Sequence, residues 1–554
     1  MKVTKPSLLI LSVLTAGLFS CNKTEITDAT QLEKAVEKIT SSAAPGASGG
    51  YQQTDLILGN KLTNPYLLAN MTAAKNNLTA KGINSSISTN IRATHYYIKF
   101  KPQNFDQYDD LVSDTTLQLY DYPLDYEIIS RGNKYRDQSI ADTSIPTYQY
   151  AAVKTDFRFN DTISYEIIAS LYIPEVDNSL LGANLENETY VDKLLDQAYK
   201  QTGNNGDTIT VDPATNQLRP KYNPSGNIQL FDTRLNTTYG MEGVLITARR
   251  WFISYSAETN FNGDYRMSER FRRPCNYALH FSTKKFRVVH GLFRTIAWID
   301  GPKQTDPWNH TIADGVDRFS GHIFRGGYRY YFKDIEGLQR PTRWLWRITN
   351  YVAKDQSGAS GLNPIWLNNI KIWRFSTQDD NREYYSDEVF SATCHETGHT
   401  SHAIRMNTII QFWQVIPRLQ ESWAVAIEWV LTHREYADRG IPNYGNENYF
   451  PPNPPLYPND YGYQYWHNVE GNDFWYKYTN IYIDIIDNHN ELGQVYQGRG
   501  TGVVDDRVSG YSLAFIESNM LKHIYGLSTL AEQLKANRPA GITDAQIDLL
   551  ISQY

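Results

Sequence analysis

Cysteine is scarce in this chain, with three in 554 residues, at positions 21, 275 and 394. Too few thiols exist for a disulfide framework. Positive charge is also short: 53 Lys and Arg against 60 Asp and Glu leave a net charge of −7 and a pI near 6.0. Nucleic acid and anionic membrane surfaces are therefore not expected partners. Long apolar runs are missing too, since nothing after Phe19 is long enough to form a transmembrane helix. What remains is ordinary globular material, 41% hydrophobic and 20% charged, and the length suggests two or three domains. The one excess is aromatic, with 40 Tyr and 12 Trp. Such residues suit stacking on sugars or peptides, or are built into the sheets of an exported protein.

The N-terminus reads as processing signal. Lys2 and Lys5 precede an apolar run from Leu8 to Phe19, the length of a signal-peptide core and short for a bilayer span. The run ends in Leu18-Phe19-Ser20-Cys21, which resembles a bacterial lipobox. That resemblance implies cleavage before Cys21, acylation of its thiol and a protein anchored in the cell envelope, on the periplasmic or surface side of the outer membrane. The Ser/Ala/Gly-rich stretch that follows reads as a flexible tether. Of the other two cysteines, Cys394 is expected to be a small buried packing residue.

Pattern and composition divide the chain into a signal peptide (1–20), a tether (21–55), an N-terminal α+β domain (56–235), a small β-sandwich (236–293) and a mainly helical domain (294–554). The fold class expected is multidomain α+β. In the first domain, strands are predicted at 96–100, 116–120 and 148–153, with helices at 104–113 and 187–202. Next come a strand at Gly243–Trp251, an Asn262-Gly263 hairpin turn and a strand at Tyr277–Phe281. This order resembles the carboxypeptidase-regulatory-like (transthyretin-like) β-sandwich, which implies a non-catalytic support or binding module. Further on, Arg340-Pro341-Thr342 predicts a helix start running into an apolar stretch ending at Val352, and Ile370–Phe375 a strand. A strand just before a metal-binding helix suits pairing with extended substrate backbone, or is an ordinary sheet member.

The chemistry concentrates at Cys394-His395-Glu396-Thr397-Gly398-His399. Four residues separate the histidines, so on a helix both imidazoles leave one face and can share a tetrahedral metal. Glu396 is placed to act as general base on a water. Ser386 is a candidate N-cap, with Asp387 and Glu388 favouring the helix dipole. Gly398 inside the helix costs about 1 kcal/mol relative to alanine, which suggests a close approach there. Two histidines need a third partner. The metzincin position six residues after His399 is Arg405, which excludes that family. Glu421 and Glu428 are the other candidates; seven residues apart, they share one helix face.

At this point the sequence resembles the gluzincin peptidases, the thermolysin and neutral-aminopeptidase clan. Gln420-Glu421-Ser422-Trp423-Ala424 aligns with their Asn-Glu-Gly-Phe-Ala segment, and Glu428 with the later glutamate of the aminopeptidase branch. The resemblance spans roughly 386–430 and implies a zincin-like catalytic domain. It also implies Zn²⁺ held by His395, His399 and Glu421, and Glu428 orienting a ligand histidine. The Gly-x-Met-Glu-Asn segment of the aminopeptidase branch is absent, and Val425 stands where the thermolysin branch has aspartate. An oxyanion-stabilising Tyr or His is expected from a later segment, with His467, Tyr482 and Tyr511 as candidates and Tyr511 preferred. His402 is either a substrate contact or a helix-stacked ring. The whole chain resembles Bacteroidetes-type lipoproteins that carry a zinc-peptidase motif.

The expected function is thus a lipid-anchored zinc metallopeptidase acting on a peptide, protein or glycoprotein. The rival expectation is a surface glycan- or glycopeptide-binding lipoprotein whose zinc site is vestigial.

Overall fold

A computed structural model of the chain describes residues 55–554 apart from 85–89, 115, 133, 143, 178–184, 209–219, 291–294, 342–347, 359, 363–368, 378–380, 407, 442–477 and 497–499. Cys21, the signal run, the tether and His467 lie outside the described residues. Two compact units follow one another in the described chain, one ending at Arg325 and the other beginning at Gly326. Both are mixed α and β, so the chain is a multidomain α+β protein.

The first unit opens with β1 (Ile57–Lys61), α1 (Leu68–Ala80), β2 (His95–Lys101) and α2 (Phe105–Ser113). Then come β3 (Tyr126–Ser130), β4 (Gln149–Lys154), β5 (Ser164–Leu171) and α3 (Leu185–Gln201). β1 pairs with β3, and β2 lies antiparallel between β4 and β5. Ile98 and Phe100 alternate on β2 so that both enter one core with Leu111 of α2, Ala151, Val153 and Ile163. Asn104 caps α2 by accepting from the Gln107 amide at 2.9 Å. The stretch 116–120 forms no strand of its own; Tyr120 makes only an isolated bridge to Tyr150.

Past α3 the unit becomes largely β, with β6 (Ser225–Asp232), β7 (Thr237–Gly240), β8 (Leu245–Arg250), β9 (Ile253–Glu258) and β10 (Asp264–Arg266). These are followed by β11 (Cys275–His280), β12 (Phe286–His290), β13 (Thr295–Ile296), β14 (Trp298–Gln304) and β15 (His310–Ile312). One antiparallel sheet has the order β14-β11-β8-β9; a second sets β6 between β10 and β15, with β7 also pairing to β6. β6, β14 and β15 lie outside 236–293, so these sheets extend past the boundaries expected for a sandwich there. Asn262-Gly263 is a turn: Gly263 has φ +83°, and its amide donates to the Asn260 carbonyl at 2.9 Å. The strands it joins belong to different sheets, β9 to one and β10 to the other. A Cβ on Gly263 would stand 2.0 Å from the Ile228 carbonyl oxygen, so both φ and space demand glycine.

Helix α4 (Gly315–Phe332) contains the point of division. In the second unit, β16 (Thr349–Ser357), β17 (Gly361–Leu362) and β18 (Asn369–Phe375) form a ribbon in which β18 runs parallel to β16 and antiparallel to β17. Of the helical stretch expected from Arg340 to Val352, residues 342–347 lie outside the described residues; residues 349–352 are corrected to strand, all four buried in the sheet. β18 is also flanked on both sides. Ser376 and Tyr384 extend the cover on its C-terminal half through bonds to Arg382 and Arg374, which leaves little open edge for strand addition.

Three helices then build the centre of the unit: α5 (Ser386–Arg405), α6 (Ile409–Gln414) and α7 (Pro417–Asp438). Pro417 sits at the first helical position, where its missing amide costs nothing. Leu419, Trp423, Ala424, Val425, Ala426, Ile427 and Leu431 are all fully buried, and the run 422–428 is covered on every face of α7. Past α7 lie α8 (Ile481–Asp484), β19 (Val495–Tyr496), β20 (Gly500–Thr501), α9 (Leu513–Phe515), α10 (Leu527–Ala536) and α11 (Asp544–Ser552). Among the described residues no helix is long and apolar enough to cross a membrane.

Candidate metal centre

Helix α5 begins at Ser386, with Tyr385 as the residue before it rather than Ser386 in that place. Glu388 closes the first turn: its Oε2 accepts from the Tyr385 amide at 2.6 Å, and both carboxylate oxygens take bonds from Arg382. Two and three turns further along, the helical repeat sets His395 and His399 on one face, their rings edge-on with centroids 4.8 Å apart.

Gly398 lets α7 come close. A Cβ there would meet Ile427 Cδ1 at 3.1 Å, tighter than ordinary packing. That approach carries Glu421 to the histidines. Its Oε2 lies 3.2 Å from His395 Nε2 and 3.2 Å from His399 Nε2, and the two Nε2 atoms are 3.1 Å apart. A tetrahedral zinc with ligand distances of about 2.0–2.1 Å has donor–donor edges of about 3.3 Å. The three atoms therefore form a triangle of the size of one tetrahedral face. Two imidazole nitrogens and a carboxylate oxygen are also the donor types zinc takes at catalytic sites. The residues fit the ion.

Glu428 comes from the next turns of α7, with Oε2 3.2 Å from His395 Nδ1. An N–H on Nδ1 turns the lone pair of Nε2 toward the triangle. His399 has no such partner: its Nδ1 is buried without a hydrogen bond among the described residues.

Electrostatics follow from these contacts. Burial works against a charged His395, but the carboxylates of Glu428 and Glu421 outweigh it and raise its pKa well above the ordinary value. Burial likewise favours protonation of Glu421, and His399 and His395 overcome it and hold the carboxyl well below the usual range. Glu396 is 3% exposed, and burial raises its pKa despite the two histidines. A buried carboxylate with raised pKa is a stronger base than one in water.

The structure thus brings His395, His399, Glu421, Glu428 and Glu396 together. Tyr511 is engaged elsewhere, its hydroxyl donating to the Leu534 carbonyl at 2.7 Å, so its proton is not available to an oxyanion. Tyr482 packs its ring against Trp423 and its hydroxyl is buried. His402 is fully buried with its ring edge-on to Phe412 and Trp423, and burial lowers its pKa to about 3. It is a neutral core residue. Arg405, at the metzincin position, lies 3.7 Å from Glu517, which also accepts from Ser401 Oγ at 2.9 Å. Sequence reasoning missed Tyr478, whose ring centroid is 6.1 Å from that of His395. No spacing marks it among 40 tyrosines. Cys275 and Cys394 are both buried free thiols.

No family model and no curated protein matches this chain.

Proposed function

We propose that the second unit is the catalytic domain of a zinc-dependent peptidase of the gluzincin kind, in an exported protein anchored through Cys21. The observation that carries this reading is the convergence of His395 Nε2, His399 Nε2 and Glu421 Oε2 at 3.1–3.2 Å with the buried Glu396 alongside. Zinc, when bound, supplies a Lewis acid that makes water more acidic and a carbonyl more electrophilic. The protein's own groups do the rest. Glu428 holds the Nδ1 proton of His395 and so fixes its ring. Glu396 takes a proton from the water as its oxygen adds to the carbonyl carbon of the scissile amide. As the C–N bond breaks, Glu396 returns that proton to the leaving nitrogen. Zincin-like identity of this unit, and a support role for the β8–β11 region on the transthyretin-like resemblance, belong to the same proposal.

The tyrosine excess gives less support to the glycan-binding alternative. Tyr66, Tyr97, Tyr108, Tyr172, Tyr199, Tyr277, Tyr330, Tyr351 and Tyr436 are among the largest fully buried side chains, so much of the excess is core.

The test is Glu396→Gln. It should retain zinc and lose peptide hydrolysis by about 10²–10⁴-fold. A Glu396→Gln protein that cleaves a peptide library as fast as the parent would sink the mechanism.

A further inference from the structure

A second group of potential ligands lies in the same unit but outside the histidine site. Asp484 ends α8, Glu491 follows in the next loop, and Asp506 lies beyond the β19–β20 ribbon. Each offers a carboxylate oxygen, and these oxygens lie within 4.8 Å of one another. All three residues are buried, at 0%, 1% and 5% exposure. Burying three carboxylates side by side is unfavourable unless something neutralises them.

At Asp484 the neighbouring charges are acidic. The groups acting on Asp484 are the carboxyls of Glu491, Asp506 and Asp487 and the hydroxyl of Tyr554. On Asp506 the Val508 amide, which donates to Oδ1 at 2.9 Å, and His489 act against the acidic Asp487 and Asp505. Arg507 is turned outward onto Asp505 at 2.9 Å. Tyr554 OH reaches Asp484 Oδ2 and Asn480 Oδ1, whereas Asp484 Oδ1 is fully buried and accepts no hydrogen bond among the described residues. A buried carboxylate oxygen with no donor, set among two other carboxylates, is a position for a cation. Burial also pushes the Asp506 carboxyl up to about 7, the response of an acid held among other acids.

We propose that Asp484, Glu491 and Asp506 form a second metal site that takes a hard divalent cation of the calcium class. The donors are all oxygen, which disfavours zinc and copper. Calcium accepts several protein oxygens at 2.3–2.6 Å, so opposite ligands stand about 5 Å apart, which accommodates the observed spread. Magnesium keeps most of its water and seldom occupies a cage of protein carboxylates. The ion would tie together α8, the loop at Glu491 and the irregular run at Asp506, with Tyr554 bonded to Asp484. The role is structural: Thr479, beside Asn480, bonds Ser422 at 2.7 Å, next to Glu421 on α7.

The experiment uses the full chain, stripped with chelator and dialysed against calcium chloride at about 1 mM, a concentration suited to extracellular calcium modules. Bound calcium is counted by mass spectrometry of the elements, and the melting temperature is recorded. The expected result is one calcium ion per chain, a higher melting temperature than the stripped protein, and the same stoichiometry in His395→Ala. Asp484→Asn should weaken calcium binding about tenfold or more. Asp506→Asn, at the edge of the cluster, serves if Asp484→Asn does not fold. Folded, stripped parent protein that takes up no calcium overturns the proposal. So does calcium that is lost in His395→Ala but kept in both aspartate variants.

Discussion

His395 is gripped at both ring nitrogens by one helix: Glu428 Oε2 stands 3.2 Å from Nδ1, and Glu421 Oε2 stands 3.2 Å from Nε2. Seven residues of α7 separate the two glutamates, about two turns, so both carboxylates leave one face of the helix and converge on the same ring. Glu421 faces the other histidine as well, while among the described residues Glu428 pairs with His395. The two carboxylates therefore have different tasks, and they can be separated by substitution.

Glu428→Gln keeps an acceptor near Nδ1 but removes the charge, and Glu428→Ala removes both. Zinc affinity, measured by competition with a chromogenic chelator, should fall about 10–100-fold in Glu428→Ala and less in Glu428→Gln. Equal affinity in all three proteins would show that Glu428 does not orient the ring.

Zinc should stabilise the second unit by mass action. At free zinc about 100 times the dissociation constant the gain is about 2.7 kcal/mol, or about 5–10 °C in melting temperature for a unit of this size. Glu421→Gln, which leaves two histidines, should abolish most of that shift. A chelator-insensitive melting curve for the parent protein would contradict the assigned ligands.

Arg329 and Glu435 form an ion pair with side chains 0% and 1% exposed; Arg329 Nε donates to Glu435 Oε2 at 2.9 Å. Removing one partner of such a pair costs about 3–5 kcal/mol because a charge is left buried. Arg439 still holds Glu435 at 2.8 Å, so Arg329→Met should fall at the low end of that range in denaturant unfolding. Lys134, whose ion pair with Asp55 is on the surface, can be replaced by alanine at a cost within about 1 kcal/mol.

Acid should weaken the first unit through His290 and His322. Burial lowers their pKa values to about 4 and about 3, with Lys134 adding to the first and Arg325 to the second. His322 donates from Nε2 to the Phe231 carbonyl at 3.0 Å, and among the described residues no acceptor faces its Nδ1 to favour a second proton. An unfolded histidine titrates near 6.5. The stability from keeping these rings neutral is complete above that pH and is lost as pH falls toward 4. For His290 the full loss is about 3 kcal/mol, converted from its shift. Denaturant midpoints between pH 7 and pH 4.5 should drop less in His290→Gln than in the parent; identical slopes would remove His290 from the account.

Several features were legible without coordinates because they are local. Four-residue spacing puts His395 and His399 on one helix face, seven-residue spacing does the same for Glu421 and Glu428, and the β-rich runs at 96–100, 243–251 and 370–375 each hold a strand. Periodicity along one element depends only on backbone geometry. It could not say that residues after Thr349 pair as a strand, since a short apolar run suits a buried helix or a buried strand equally.

By itself, then, the sequence determined which residue types could share a face: two histidines, a base beside them, and two glutamates on another helix. Tertiary structure alone decided that these faces meet, because the approach of α7 to α5 depends on Gly398 admitting Ile427. It also decided that Tyr511 spends its proton on Leu534, and that Asp484 from a helix end and Glu491 and Asp506 from two loops gather into one buried cluster. Contacts of this kind join elements through packing and loop closure, which no repeat within a single element encodes.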